Sequence, residues 1–493
     1  MACEGYLKLC ERSREVYLIR SVAAVLTWDL ETYIPSKAVQ YRADQLSYLE
    51  AKAHRLFTDS TVGDWLTESE QYAFHSDSEE HANVREWRRA YNRATKIPVS
   101  LVEEFEKSRT LARGAWVHAR DENNFSEFEP HLEKIIQLTR QKADLWGYEE
   151  SPYDALIEDY EPGIRAGQIR PILEDLRIAL VDLLGKTRGE AVAEGFLEGN
   201  YPRAGQEALS REVAAAFGYD FDAGRIDKTV HPFATSLGPC DHRITTRYKE
   251  KRFEVSLYGV MHETGHALYE QGLRADRAGL PQGEAVSLGI HESQSRLWEN
   301  HVGRTTQFWN RWHPAACKFL PDLKRYSPIE VAKGVQRIAP SYVRVEADEV
   351  TYDLHILLRF ELELALIEGR ISVQDLPDAW NARFKELFGL TVPNHSLGVL
   401  QDIHWSLGLI GYFPTYTLGN LNAAQLMSAA ERQIPRLQDQ LVEGHYQSLL
   451  QWLRENIHQH GRRYLPAELM RRATGETTQA KYRVEYLRKK YSL

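Results

Sequence analysis

Cysteine is scarce in this chain: four residues in 493 (Cys3, Cys10, Cys240 and Cys317), scattered along its length. That spacing builds neither a disulfide framework nor a Cys-type zinc site, and a reducing, cytoplasmic compartment is expected. Positive charge is also in short supply. The chain has 61 Lys and Arg against 70 Asp and Glu, a formal net charge of −9. Mild acidity argues against nucleic acid as a partner, because phosphate binding needs a basic field. Membrane-type apolar runs are missing too. Residues 1–20 carry charges throughout, with no apolar core of the signal-peptide kind. The stretch 403–430 contains no Asp, Glu, Lys or Arg, but it includes Pro414, Gly408, Gly411, Gly419, Asn420, Asn422 and Gln425. It reads as a neutral, buried or cleft-lining segment rather than a lipid-facing helix. Proline (19) and glycine (31) are modest, and neither a Ser/Gly linker nor an internal repeat divides the chain.

What is present is globular: 43% hydrophobic and 27% charged residues, in a chain long enough to bury a large core without staples. Apolar spacing predicts helices over 37–61, 102–146, 170–196, 345–368 and about 424–460, with Gly369 at the C′ position of the fourth. Strand signals are sparse. The best is 243–248 (RITTRY), after Gly238-Pro239, while Phe253–Leu257 is either a second extended piece or the lead into a helix. The expected fold is all-α, one large helical body with a small β element in its middle. The basic tail, nine Lys and Arg against three Glu over 461–493, is expected to be a solvated helical end.

The chemistry sits in Val260-Met261-His262-Glu263-Thr264-Gly265-His266-Ala267-Leu268. This is H-E-x-x-H in a helical stretch with apolar flanks and no proline. A four-residue step turns a helix by about 400°, so His262 and His266 share a face and can share one Zn²⁺. Glu263 stands beside the first ligand, placed to take a proton from water without ligating the metal. Catalytic zinc usually takes a third protein ligand. Glu270 lies two turns below His262, about 12 Å along the axis, so it cannot converge on the same ion. The ligand is expected from the next helical pattern, Ile290-His291-Glu292-Ser293-Gln294-Ser295-Arg296-Leu297-Trp298-Glu299-Asn300. Position does not separate Glu292 from His291 or Glu299. A rival pairing, Glu263-x-x-His266 with Glu455-x-x-His458, has the spacing of di-iron carboxylate bundles but leaves His262 unexplained.

Further motifs run in order along nearly the whole chain: Trp28-Asp29-Leu30-Glu31-Thr32-Tyr33-Ile34-Pro35, Tyr160-Glu161-Pro162-Gly163, His231-Pro232-Phe233, Asp241-His242-Arg243-Ile244-Thr245 (D-x-R-x-T), His291-Glu292-Ser293-Gln294, Val343-Arg344-Val345-Glu346-Ala347-Asp348, and Gly398 to Trp405 with its Gln401-Asp402-Ile403-His404-Trp405 core. With these the chain resembles the carboxypeptidase Taq family of metallocarboxypeptidases. Leu30, Ile34 and Val343 depart from the family's usual Gln, Met and Ile without removing a functional group. The resemblance implies a hydrolase that removes single residues from peptide C-termini with broad specificity, using one Zn²⁺ or Co²⁺. It implies His262, His266 and Glu292 as ligands and Glu263 as base. It also implies a long substrate groove and a homodimer. On that reading 1–493 is a single body, with 1–230 a helical groove wall, 231–420 the catalytic motifs and 421–493 the C-terminal helices.

The remaining site residues follow from what this chemistry needs. A tetrahedral oxyanion needs a donor besides the metal. Tyr416, by resemblance, is the candidate, with His404 assisting; Tyr412 lies in the same carboxylate-free segment. A free α-carboxylate is best held by a guanidinium fork, and Arg344 and Arg243 stand in the family motifs. Gln401 and Asp402 are expected to orient a ligand histidine, and Gln401 and Tyr412 are also expected among the substrate-binding residues. An endopeptidase of the groove type and a non-catalytic helical scaffold are the alternatives.

Overall fold

Turn residues cut the long helices that spacing alone predicts. The computed structural model describes residues 3–72, 74–187, 193 and 195–492. The 102–146 stretch is two helices, Val99–Asp121 and Phe125–Trp146, separated at Asn123 with its φ of 53°. The 37–61 stretch stops at Phe57, and Asp59 caps a new helix, Ser60–Gln71, by accepting from the Thr61 N–H. The 424–460 stretch is three helices, Pro414–Gln433, Leu437–Glu443 and Gln447–Asn456, interrupted near Pro435 and at Gly444 (φ 82°). The 345–368 helix starts late, at Tyr352, because the Asp348 carboxylate takes the backbone N–H groups of Val350 and Thr351. It is also buried all round except at Glu361 rather than amphipathic. Helix Ala166–Thr187 covers most of the 170–196 pattern; residues 188–192 and 194 lie outside the described residues.

The β element is one three-stranded sheet: β1 (Ile226–Lys228), β2 (Ala234–Gly238) and β3 (Asp241–Thr246). β3 is central, parallel to β1 and antiparallel to β2, with Ile244 opposite both Ile226 and Ala234. Phe253–Leu257 forms the first turns of the helix that carries the H-E-x-x-H motif.

Two large apolar cores organise the body. The first gathers Phe128, Leu132, Leu180, Ile356, Phe384 and Phe413 among others. The second surrounds the motif helix and includes Val260, Leu268, Trp298, Trp309 and Leu453. Helix Pro414–Gln433 joins them: Leu418 and Leu421 belong to the first, Ala423, Leu426 and Met427 to the second. Its uncharged sequence is explained by burial between two cores. The basic tail is not simply solvated. Arg483 and Lys490 are buried, and they pair with Glu349 and Asp353. Among the described residues no helix is long and apolar enough to cross a membrane.

Candidate metal centre

His262 and His266 project from helix Phe253–Gly272 toward helix Leu288–Arg296, which carries Glu292. This second helix is anchored at its start. Ser287 caps it through the Ile290 N–H, the Glu161 carboxylate accepts from the Gly289 N–H at 2.9 Å, and the Leu288 N–H donates to the Tyr160 carbonyl. It is also squeezed between two glycines. A Cβ on Gly265 would stand 2.5 Å from the Gln294 carbonyl oxygen, and one on Gly419 would stand 2.4 Å from Glu292 Cγ. Close backbone approach is what brings Glu292 to the histidines. Glu292 Oε2 lies 3.5 Å from His262 Nε2 and 3.4 Å from His266 Nε2, and the three donor atoms fall within 4.8 Å of one another. Tetrahedral ligand atoms at about 2.0–2.1 Å from one ion are about 3.3 Å apart, so this donor set fits a divalent metal of the zinc type.

The other nitrogen of each histidine is engaged. His262 Nδ1 meets Glu299 Oε2 at 2.9 Å. Glu299 sits on a π-helical turn, Leu297–Gly303, that continues the ligand helix. His266 Nδ1 meets His291 Nδ1 at 2.5 Å, and His291 Nε2 meets Glu270 Oε1 at 2.9 Å. The hydrogen-bond chain assigns the protons: His291 donates to the Glu270 carboxylate and accepts from His266, so His266 Nε2 keeps its lone pair. The three residues that spacing left open are therefore separated. Glu292 faces both imidazoles, while Glu299 and His291 each hold one from behind. Glu455 is exposed, and His458 Nε2 is bonded to Gln294, so the di-iron pairing does not assemble.

Electrostatics suit that division. Burial opposes ionisation of Glu292, but Arg296 and His262 hold its carboxyl well below the usual range. Burial lowers His266 to about 4, keeping it neutral. Burial also lowers His262, but Glu292 and Glu299 outweigh it and the net direction is up. Glu263 is pushed up to about 7, by burial first, with His262 opposing and Glu292 and Glu299 reinforcing.

A second group of polar side chains lies on the first core. Arg344 is buried, its Nε and Nη2 donating to Asp402 Oδ1 at 3.0 and 2.8 Å and its Nη1 to Tyr352 OH at 3.0 Å. Tyr352 joins this group to the metal cluster: the Arg296 guanidinium, bonded to Glu292 at 2.7 Å, lies 4.7 Å from the Tyr352 ring. Tyr416 OH is 3.3 Å from His404 Nε2, and the Arg344 guanidinium is 5.0 Å from the Tyr416 ring. Tyr412 packs edge-on against Tyr416 and Tyr160. Gln401 accepts from the Arg344 backbone N–H, and its amide donates to the carbonyls of Tyr342, Leu397 and Gly398. Its polar atoms are thus spent on the chain itself. Asp402 faces Arg344, Arg359 and His404 rather than a ligand histidine. Arg243 stands elsewhere, forked onto Asp241 and 4.5 Å from the Trp28 ring. A cavity of about 610 Å³ opens beside the cluster, bounded by His291, Glu270, Tyr160, His242 and, on the N-terminal helix Glu4–Thr32, Tyr17 and Arg20.

Sequence reasoning missed Arg296, Tyr352 and Arg359. Arg359 had a signal: it is the lone cation inside the apolar run His355-Ile356-Leu357-Leu358-Arg359-Phe360, and a charge there must be paired.

A family profile described as Carboxypeptidase Taq (M32) metallopeptidase matches residues 8–491. Thermostable carboxypeptidase 1 of Thermus thermophilus is 43% identical, over 99% of this chain and 98% of its own length. Carboxypeptidase 1 of Bacillus subtilis is 36% identical, over 95% and 94%. The crystal structure of an M32 carboxypeptidase from Deinococcus radiodurans superposes with a TM-score of 0.96 at 38% identity, covering 99% of both chains. With a profile matched from end to end and relatives this similar over their full length, the chain belongs to the carboxypeptidase Taq (M32) family of metallopeptidases and is a peptide hydrolase.

Proposed function

We propose that this metallocarboxypeptidase releases C-terminal residues from peptides with broad specificity, holding one Zn²⁺ through His262, His266 and Glu292 and using Glu263 as general base. Those three residues would hold the ion, which would supply Lewis acidity toward a water and the scissile carbonyl. Glu263, with a carboxyl raised toward neutrality by burial, takes the proton of the attacking water and returns it to the leaving amine. Tyr416 keeps its own proton, because burial raises its hydroxyl well above 10, and donates to the developing oxyanion. His404, lowered to about 4 by burial, stays neutral beside it and orients that hydroxyl.

The observation that carries the exopeptidase reading is the donor count on Arg344. Of its five N–H groups, three are used by Asp402 and Tyr352. One remains on each terminal nitrogen, the pair that grips a carboxylate in a fork. Through Tyr352 and Arg296 this receptor adjoins Glu292. The mixed charges of the cavity wall (Arg20 and Arg454, Glu270 and Glu284) support acceptance of varied peptide sequences on the other side of the scissile bond. A homodimer, through the family likeness, and a cytoplasmic location, through the scattered cysteines, remain part of the proposal. The test is hydrolysis of an N-acyl-Ala-Arg substrate and of longer peptides with free and amidated C-termini, by wild type and Arg344→Ala. Free termini are expected to be cut and amides spared, with kcat/KM on free termini falling at least 100-fold in the variant. Equal cleavage of amides would point instead to an endopeptidase.

A further inference from the structure

Behind Arg344 lies a buried group whose charges do not cancel. The Asp402 carboxylate is shared by two guanidiniums. Its Oδ1 accepts from Arg344 Nε and Nη2, and its Oδ2 accepts from Arg359 Nε at 2.7 Å. Arg359 Nη2 is 2.5 Å from the same Oδ2, as an ion pair rather than an aligned hydrogen bond. Arg359 has no solvent exposure, and its Nη1 donates to the His355 carbonyl one turn earlier on helix Tyr352–Ile367. Trp380 and Phe413 flank it, with ring centroids 4.7 and 5.4 Å from the guanidinium carbon.

Two cations and one anion leave a single positive charge. The other groups around them do not remove it. Tyr352 and Tyr416 hold their protons, and burial keeps His355 and His404 neutral. Glu363, one turn further along the same helix, is raised to about 7 by burial although the Arg359 charge opposes this, and its oxygens accept from Tyr153 OH, the Trp405 indole and the Gly411 N–H. An uncompensated buried cation is costly unless something pairs with it, and an Arg344–Asp402 pair alone would be neutral.

We propose that Arg359 is a positioning residue for the peptide C-terminus: by taking the second oxygen of Asp402 it leaves the Arg344–Asp402–Arg359 group with one positive charge in excess, which the substrate carboxylate balances. Arg359 does not touch substrate. It acts through Asp402, fixing the plane of that carboxylate so that the remaining fork of Arg344 faces the substrate. The inference rests on Arg344 being the carboxylate receptor.

The experiment compares KM and kcat of the metal-loaded enzyme for an N-acyl dipeptide with a free C-terminus. Arg359→Gln keeps a donor toward Asp402 but removes the charge. KM is expected to rise at least tenfold, with kcat within threefold. The double variant Arg359→Gln/Asp402→Asn restores the net charge of the group to that of Arg344 alone, and is expected to recover most of the KM. Arg359→Lys, which keeps the charge, should stay within threefold of wild type. An unchanged KM in Arg359→Gln, no recovery in the double variant, or a tenfold rise in Arg359→Lys each overturns the proposal. If Arg359→Gln does not fold, the double variant is read alone, and a tenfold rise in its KM is decisive against it. Failure of the receptor reading shows separately, as an Arg344→Ala enzyme that still prefers free termini.

Discussion

Gly419→Ala tests whether backbone contact sets the metal site. Gly419 lies inside helix Pro414–Gln433, and an added Cβ would stand 2.4 Å from Glu292 Cγ and 2.6 Å from Glu292 Cβ. Carbon atoms in contact sit about 3.5–4.0 Å apart, so the overlap exceeds about 1 Å. Alanine gains about 1 kcal/mol over glycine in a helix, while overpacking a core costs about 1–3 kcal/mol. Stability should therefore fall by no more than about 2 kcal/mol, and the protein should fold. The ligand has more to lose. Glu292 is held by Arg296 Nε at 2.7 Å and Ser295 Oγ at 2.9 Å, and a displaced stem cannot keep both bonds and its approach to the two histidines. Losing a supporting group around a ligand typically costs about 10–100-fold in metal affinity. Moving the ligand itself should cost at least the upper figure. The assay is titration of metal-free protein with Zn²⁺ against a competing chromophoric chelator, alongside urea unfolding. Gly114→Ala is the control: Gly114 is exposed within helix Val99–Asp121 with no neighbour within 4 Å of an added Cβ. It should gain about 0.5–1 kcal/mol with metal affinity unchanged. A Gly419→Ala protein binding Zn²⁺ within threefold of wild type would refute the reasoning.

Two further outcomes follow from single groups. Glu263→Gln should retain metal, by elemental analysis, and lose about 10²–10⁴-fold in kcat; near-normal turnover would remove Glu263 as base. Glu161 ties pH to stability. Burial raises its carboxyl from 4.5 to about 7, so the folded state prefers it protonated. Its effect is absent below pH 4.5 and grows to a cost of about 3 kcal/mol as pH rises through about 7. Glu161→Gln, which can still accept from the Gly289 N–H, should unfold at progressively higher urea than wild type across that window; parallel curves from pH 5 to 8 would contradict it.

The division between what was legible in the sequence and what was not has a physical basis. His262 and His266 are four apart on one helix, so local geometry alone puts them on one face. Glu292 could not be chosen over His291 and Glu299, because the choice depends on how two helices meet. That meeting is set by glycines at 265 and 419, which leave no trace in a pattern of apolar residues. Helix ends failed for a related reason. Asn123, Asp59 and Asp348 redirect the chain through local hydrogen bonds or a positive φ, while the apolar spacing runs on through them. The tail misled because charge was read as exposure. Arg483 and Lys490 are buried because Glu349 and Asp353 arrive from far away in sequence to pair with them.

The same distinction explains the form of the active region. A carboxypeptidase must hold a fixed distance between the atom it attacks and the charge it recognises. On the proposed reading the two belong to different cores: the helix of the H-E-x-x-H motif grows from the second, and Tyr352 and Phe413 beside Arg344 belong to the first. Only shared elements can fix their spacing. Helix Pro414–Gln433 is one, contributing Tyr416 on the first core's side and pressing Gly419 against Glu292 one turn later. Tyr352 is the other, with Arg296 of the ligand helix over its ring and Arg344 on its hydroxyl. Both cross the seam through buried contacts with little freedom to slide. The selectivity for a terminal residue is therefore expected to depend on the seam between the cores as much as on Arg344 itself.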